Sequence, residues 1–132
     1  MKEQKYLFDT HSLIFWVTRN SVSKRFLEFF DEQDQQGQVL VSSLSFWEIS
    51  LLVKKRKLEI SDVLTWKTEL FNNTNLILIE PTSAEMINST LLPDYHKDPF
   101  DRLLIVQSLQ NKAIFVTKDQ TIPQYDVETF WI

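Results

Sequence analysis

Short apolar runs alternate along the chain with longer stretches that place apolar residues at helical spacing. The runs predict strands at 5–8, 39–41, 76–79 and 113–116, with a fifth candidate at 127–131. The stretches between them predict helices at 12–17, 23–36, 45–57, 61–71, 82–92 and 98–111. Runs that are apolar throughout, rather than alternating, indicate strands that are covered on both faces. The pattern therefore predicts an α/β fold, a three-layer α/β/α sandwich with a central, mostly parallel sheet.

Composition limits the kinds of site that the chain can carry. Its 132 residues, 43% of them hydrophobic, predict one domain over residues 1–132. Cysteine is absent, which excludes disulfides, thiolate zinc sites and cysteine nucleophiles, and the single glycine, Gly37, excludes a glycine-rich phosphate loop. The polar start from Met1 to Lys5 does not resemble a signal peptide, and no stretch reaches the roughly 20 apolar residues of a membrane span. We expect a cytoplasmic protein that does not bind membranes.

Acidic residues follow the predicted strands. Asp9 ends the first strand, Glu48 lies in the first predicted turn of the helix after the second strand, and Asp119 follows the fourth. Asp98 and Asp101 lie in the first turn of the long helix before that strand. Sites in open parallel sheets form at the carboxyl ends of strands, where the strand order switches. We therefore expect these five acids to converge on one edge of the sheet.

Several carboxylates in one place indicate a divalent cation. They repel one another and raise one another's pKa, and a cation removes that repulsion. Mg²⁺ and Mn²⁺ prefer oxygen ligands, and a pair of such ions can activate water and stabilise the leaving oxygen in phosphodiester cleavage. The net charge of −4 argues against a broad electrostatic grip on nucleic acid, but bound cations would reverse the sign locally.

Each acid also has an ordinary structural interpretation. Ser45 and Glu48 have the spacing of a capping box, in which serine caps the helix and glutamate hydrogen-bonds back to it. Asp98 before a proline is a typical helix start, and Asp101 in the first turn would favour the helix dipole. The acids after the first and fourth strands are common turn residues. Taken one at a time, the acids leave both interpretations open.

Four segments of the chain carry the candidate acids in distinctive contexts. The most specific is the run His96-Lys97-Asp98-Pro99-Phe100-Asp101-Arg102 within 92–108. The others are 6–16 around Asp9, 41–50 around Glu48, and 116–119 ending at Asp119. These segments resemble the PIN-domain family, and more narrowly its VapC-like toxins. The four occur in the family's order and span nearly the whole chain.

The resemblance implies metal-dependent hydrolysis of RNA phosphodiesters with Mg²⁺ or Mn²⁺, by the toxin of a bacterial toxin–antitoxin pair. It also implies a homodimer and a small antitoxin partner. Carried over by position, the acidic cluster is Asp9, Glu48, Asp101 and Asp119, with Asp9 and Asp101 as direct metal ligands. Asp98 is either a further acid of the site or only the helix cap. The alternatives are an RNA-processing or DNA nuclease of the same fold without an antitoxin, and a non-catalytic binding module.

Some neighbouring residues are further candidates. His96 adjoins the acids, although a lone histidine beside a helix start is usually structural. Trp16 and Trp47 lie near motif acids and could stack on bases, but core packing is the expected role of both.

Hydroxyl and basic side chains complete the candidates. Thr10 and Thr117 could orient ligands through hydrogen bonds, or act only in turns. The basic run 54–57 is either a solvated helix end or a contact for RNA phosphate. Arg102 and Lys118, beside the motif acids, are further candidates for phosphate contact.

Overall fold

The computed structural model describes residues 3–132, so Met1 and Lys2, at the start of the polar N-terminal segment, lie outside the described residues. These residues form five strands: β1 (Lys5–Phe8), β2 (Val39–Ser42), β3 (Ile77–Ile79), β4 (Ala113–Val116) and β5 (Thr129–Phe130). The α-helices are α1 (Thr10–Thr18), α2 (Lys24–Gln35), α3 (Ser43–Lys54), α4 (Val63–Asn73), α5 (Ser83–Ser89) and α6 (Pro99–Gln110). A short 3-10 helix covers Ile122–Gln124. Within this part of the chain, no helix has the length and apolar character needed to cross a membrane.

The strands form one parallel sheet in the order β3-β2-β1-β4-β5. Leu7 of β1 pairs with Leu40 of β2 on one side and with Phe115 of β4 on the other. The chain adds strands outward from β1 to β3, and then returns to place β4 on the free side of β1. The strand order therefore switches between β1 and β4, and their carboxyl ends mark the expected place of a site.

Both faces of the sheet are covered, which confirms the predicted three-layer sandwich. Alternate residues of a strand point to opposite faces, so Tyr6 and Phe8 pack on one side while Leu7 packs on the other. The first side holds residues of α1, α2 and α4, and the Phe8 and Phe30 rings lie 5.0 Å apart between centroids. The second side holds α6 through Leu104. Burying each of these side chains stabilises the fold by about 1.5–3 kcal/mol, so β1 is held firmly from both faces.

The junction between β1 and α1, at the edge of the sheet where the strands have their carboxyl ends, is a single residue. Asp9 joins β1 to α1 and caps the helix, because its Oδ1 accepts a 2.7 Å hydrogen bond from the Ser12 N–H. Helix α1 therefore begins at Thr10, two residues before the predicted start at Ser12.

The second junction has no intervening residue, and it corrects a prediction. Ser42 ends β2 and caps α3, accepting a 3.1 Å hydrogen bond from the Leu44 N–H. The capping-box interpretation of Ser45 and Glu48, one of the two that the sequence left open, is therefore wrong, since both residues lie inside the helix. Glu48 belongs to the second turn of α3 rather than the first, and its carboxylate is not used by a cap.

The start of α6 agrees with its prediction, whereas the end of α5 does not. Asp98 is the N-cap of α6, with Oδ1 accepting from the Phe100 N–H at 2.9 Å, and Pro99 occupies the first position. Helix α5 ends at Ser89, before the predicted end at residue 92. Proline disfavours the helical conformation in the residue before it, so Pro93 keeps the segment from continuing the helix, and residues 90–98 cross to α6 without regular structure.

Candidate active site

At the carboxyl ends of the strands, four of the predicted acids lie close enough for the charges of three of them to affect the pKa of the fourth. The charges of Asp98, Asp9 and Glu48 all raise the pKa of Asp101. They come from the β1–α1 junction, the second turn of α3 and the N-terminus of α6. The fifth acid, Asp119, follows β4 and joins the group through His96.

Asp101 is the acid whose ionisation is most strongly opposed. Its side chain is 22% exposed. Burial raises its pKa to about 7, helped by the negative charges of Asp98, Asp9 and Glu48, while the nearby His96 ring opposes the rise. Near neutral pH a substantial share of Asp101 is therefore protonated unless a positive charge joins the site.

Glu48 is half-buried and held by a hydroxyl. Burial raises its pKa together with the charges of neighbouring aspartates, while a hydrogen bond from Thr10 and the charge of His11 act in the opposite direction. Thr10 is buried, and its hydroxyl lies 2.6 Å from Oε1 of Glu48 and 3.0 Å from the hydroxyl of Ser45. Thr10 thus orients a candidate acid and is more than a turn residue.

Asp119 is held in a tight turn by several donors. Its Oδ1 accepts hydrogen bonds from the Thr121 N–H at 2.9 Å and from the Thr121 hydroxyl at 2.7 Å. Its own N–H donates to the Thr117 hydroxyl at 3.1 Å. Burial would raise the pKa of Asp119, but the hydrogen bonds from Thr121 and His96 outweigh it and lower that pKa. Thr117 therefore supports the turn, and it contacts the acid only through the backbone.

His96 lies between two of the acids, a placement that sequence reasoning undervalued. Its Nε2 is 3.1 Å from Oδ2 of Asp101 and 3.0 Å from Oδ2 of Asp119. In the described part of the chain, these three residues form the group whose potential ligand atoms lie within 4.8 Å of one another. The available signal was the position of His96 two residues before the N-cap Asp98, within the most specific of the PIN-like segments.

The position of Arg102 argues against the phosphate contact that was predicted for it. The side chain is buried, and its guanidinium donates to four carbonyl oxygens at 2.8–3.1 Å, those of Ser89, Leu92, Pro93 and His96. The Tyr125 hydroxyl adds to this arrangement, accepting from the His96 N–H at 2.8 Å and donating to the Pro93 carbonyl at 2.7 Å. Arg102 and Tyr125 thus fix the irregular segment that carries His96.

The two tryptophans near the acids differ. Trp16 is buried in the core, as expected, and its indole N–H donates to Asp31 at 2.9 Å. Trp47 was expected in the core, but it is 60% exposed. Its ring packs edge-on against Phe100, with centroids 5.1 Å apart. The two rings come from the residues that immediately precede Glu48 and Asp101, so this exposed aromatic pair belongs to the same two helices, α3 and α6, as those acids.

Two groups of basic side chains were candidates for phosphate contact, Lys118 and the run 54–57. Lys118 adjoins Asp119 and is exposed, with its ammonium 4.9 Å from the centre of the Phe15 ring. The basic run 54–57 is exposed at the far end of α3. Lys54 lies about 9 Å further along the helix axis than Glu48, at about 1.5 Å per residue. Lys118, the immediate chain neighbour of Asp119, is therefore the basic residue whose backbone lies closer to a candidate acid.

The donor set fits a hard divalent cation. Most of the available atoms are carboxylate oxygens, which Mg²⁺ and Mn²⁺ prefer. Asp101 is partly buried among like charges, which raise its pKa, so a bound cation would reduce the repulsion between the carboxylates. The same observation is less well explained by helix capping, which uses Asp9 and Asp98 and does not require Glu48, Asp101 or Asp119 to gather nearby.

Comparison with known proteins identifies the fold. Residues 6–128 match the family model of the PIN domain. A chain of the VapBC2 complex from Rickettsia felis, solved with a DNA fragment from its promoter, is similar with a TM-score of 0.73 and 13% identity, covering 98% of this chain and 100% of that one. A chain of DNA-bound VapBC from Salmonella typhimurium gives 0.68 and 14%, covering 96% of both chains. A chain of the FitAcB structure from Neisseria gonorrhoeae gives 0.63 and 18%, covering 95% of this chain and 96% of that one.

These structural likenesses concern the fold, because the identities are low. A sequence comparison with curated proteins found no match. The family match spans nearly the whole chain, and the sheet order, the helices on both faces and the acids at the strand ends are all in place. The chain belongs to the PIN-domain family, with the fold of the VapC-like proteins that its motifs resemble.

Proposed function

We propose that this protein is a metal-dependent endoribonuclease and the toxin of a bacterial toxin–antitoxin pair, acting in the cytoplasm. The observation that carries the proposal is Asp101, partly buried near the charges of Asp98, Asp9 and Glu48, with its pKa raised to about 7. Such a cluster is unfavourable for folding alone, and its carboxylate oxygens are the ligands that a hard divalent cation prefers. Perturbed carboxylates gathered at strand ends are typical of a reaction centre.

The acids have distinct roles in this proposal. Asp9 and Asp101 are the direct ligands of Mg²⁺ or Mn²⁺, while Glu48 and Asp119 bind directly or through metal-bound water. Such an ion supplies an activated water and charge stabilisation for the leaving oxygen. Asp98 caps α6, and its charge also acts on Asp101 and Glu48, so the cap and the acidic cluster are compatible roles.

The residues around the acids would orient the substrate. An exposed aromatic surface of Trp47 against Phe100 offers a face on which an unpaired base can stack. Lys118, which is exposed and next to Asp119 in the chain, would contact backbone phosphate. Single-stranded RNA fits this combination, since both contacts are available without reading a duplex groove. The motif resemblance to VapC-like toxins supports RNA over DNA.

A protein partner follows from the same resemblance. The similar structures are described as VapBC and FitAB complexes, and a further similar chain belongs to a toxin–antitoxin complex from Klebsiella pneumoniae. We propose that a small antitoxin covers the acidic site, and that the toxin forms a homodimer. Co-expression with any small open reading frame adjacent to the gene, followed by size-exclusion chromatography with light scattering, tests both partners.

The activity is tested with mixed cellular RNA and three proteins. The proteins are wild type, Asp101→Asn and the matched control Asp126→Asn. Each is incubated with Mg²⁺, with Mn²⁺ and with chelator, and single-stranded DNA serves as a second substrate. Asp126 is exposed and outside the cluster. We expect RNA cleavage by wild type and control that is lost with chelator and in Asp101→Asn. Equal cleavage by Asp101→Asn would contradict the assignment, and cleavage of DNA in place of RNA would contradict the substrate.

A further inference from the structure

The ring of His96 has a hydrogen-bond acceptor at one nitrogen and a donor at the other. Its Nδ1 lies 3.1 Å from the backbone nitrogen of Asp98, which carries an N–H and can only donate. Nδ1 must therefore be unprotonated. The single proton of the neutral ring then lies on Nε2, which faces the carboxylates of Asp101 and Asp119 at 3.1 and 3.0 Å.

This arrangement is incompatible with metal binding through Nε2. A neutral imidazole that binds a cation at one nitrogen carries its proton on the other, where that N–H normally donates to an acceptor. In His96 the other nitrogen faces the N–H of Asp98. Two donors would then point at each other, and the backbone N–H would lose its partner. The proximity of His96, Asp101 and Asp119 thus does not make the histidine a ligand.

The main chain fixes the ring in this orientation. The His96 N–H donates to the Tyr125 hydroxyl at 2.8 Å, and the His96 carbonyl accepts from Arg102 at 3.0 Å. Both partners are buried, with Arg102 9% and Tyr125 5% exposed. With its backbone held at both polar atoms and Nδ1 held by the helix start, His96 has little freedom to reverse its ring.

We propose that His96 is a positioning residue that bridges the two acids from outside the coordination shell of the metal. Its Nε2–H donates a hydrogen bond to Asp119 and lies 3.1 Å from the Asp101 carboxylate, which it contacts by electrostatic attraction. The proposal rests on the proposed function, because it concerns the same acidic site. Two carboxylates this close repel each other, and an N–H that is hydrogen-bonded to Asp119 and close to Asp101 reduces that repulsion. The bridge links α6 to the turn after β4, so the two acids are already together when a cation arrives.

The tautomer is tested first, by NMR of protein labelled with ¹⁵N-histidine at about pH 7.5. The sequence contains two histidines, and His11→Gln removes one signal and so assigns the other. We expect Nε2 of His96 to be protonated and Nδ1 unprotonated in metal-free protein, with the same pattern after Mg²⁺ is added. A protonated Nδ1, or loss of the Nε2 proton on adding Mg²⁺, would overturn the proposal.

Coordination is tested with Mn²⁺ by pulsed electron paramagnetic resonance. Because His96 is placed outside the coordination shell, we expect no coupling typical of a directly bound imidazole nitrogen. Such a coupling in wild type that disappears in His96→Gln would overturn the proposal. If wild type binds no Mn²⁺, the proposed function fails, and so does the statement that His96 lies outside the coordination shell. The tautomer of His96 in metal-free protein then still decides whether the bridge between the acids exists.

Two substitutions separate positioning from packing. His96→Leu removes the donor, and we expect a rise of about tenfold in the dissociation constant for Mn²⁺, as is usual when a partner of a metal-binding carboxylate is lost. His96→Gln keeps an N–H at a similar reach and should recover most of that loss. In both variants kcat should change more than KM. Equal weakening in the two folded variants would indicate a packing role and would contradict the bridge.

Discussion

The hydroxyl of Thr10, the first residue of α1, lies 2.6 Å from Oε1 of Glu48 in α3, 38 residues further along the chain. This contact joins the helix that follows β1 to the helix that follows β2. Since Glu48 is half-buried and its pKa is already raised by burial, the hydrogen bond stabilises the ionised form that a cation requires. Thr10 therefore helps to keep Glu48 in the ionised form that can bind a metal ion.

Substitution of Thr10 tests that contact. Thr10→Val keeps the shape and removes the donor, so we expect the pKa of Glu48 to rise further and the free energy of unfolding to fall by about 1–3 kcal/mol. Mn²⁺ should also raise the melting temperature less than in wild type at equal concentration. Thr10→Ser, which keeps the hydroxyl, is the control. A serine variant as impaired as the valine variant would point to packing of the methyl group instead.

The stability of the metal-free protein should depend on pH through Asp101. The unfolded carboxyl loses its proton near its usual pKa of 3.8, whereas the folded one keeps it up to about 7. Between these values the folded state binds more protons, so the free energy of unfolding falls as pH rises. Asp101→Asn removes this contribution, and its stability relative to wild type should improve from about pH 4 to about pH 7.

Chemical denaturation at several pH values in chelator measures that difference. Asp126→Asn, an exposed substitution, should follow wild type throughout. A constant offset between Asp101→Asn and wild type would show that Asp101 does not titrate in this window. Saturating Mg²⁺ or Mn²⁺ should stabilise wild type most above pH 7, because the bound cation favours the ionised carboxylate.

Trp47 should act on RNA binding without affecting the metal. Its ring is 60% exposed and packs against Phe100. Trp47→Ala should weaken binding of single-stranded RNA by about 1–3 kcal/mol, the usual contribution of a stacked base. Leu64→Ala, at another exposed apolar position, on α4, is the control. Affinity is measured by fluorescence anisotropy with labelled RNA and the inactive Asp101→Asn background. Unchanged affinity would show that Trp47 does not contribute to RNA binding.

Arg102 should be a structural residue whose loss disturbs the site indirectly. Arg102→Met leaves four carbonyl oxygens without their donor, and we expect the protein to lose at least about 2 kcal/mol of stability. Hydrogen exchange should accelerate in residues 90–98 more than in the strands. A variant with normal stability and weakened RNA binding would instead restore the phosphate-contact interpretation.

The sheet and the placement of the acids could be predicted from sequence because local signals determine them. Runs of buried apolar residues marked the strands, and Asp98 with Pro99 marked the start of α6. The convergence of the acids needed only the rule that carboxyl ends of parallel strands share an edge. The start of α3 was missed because Ser42, Ser43 and Ser45 all favour a helix N-terminus, and the cap depends on where β2 ends.

The roles of His96, Arg102 and Trp47 could not be read in the same way. The partners of Arg102 are carbonyl groups of an irregular segment, and no periodicity encodes the path of such a segment. The two acids on either side of His96 come from different elements. The exposure of Trp47 depends on which side of α3 meets the sheet. Apolar residues occur on several sides of α3, so the sequence does not show which side is buried. Each of these roles became visible only with tertiary contacts.

Strand β1 passes to α1 through Asp9 alone, and β2 passes to α3 without an intervening residue. One residue inserted at either junction would turn the following helix by about 100° around its axis, since an α-helix has about 3.6 residues per turn. An insertion after Ser42 would therefore swing Glu48 away from Thr10 while every acid remained in the sequence. The length of these two junctions, counted in single residues, thus constrains the site as strictly as the identity of its carboxylates.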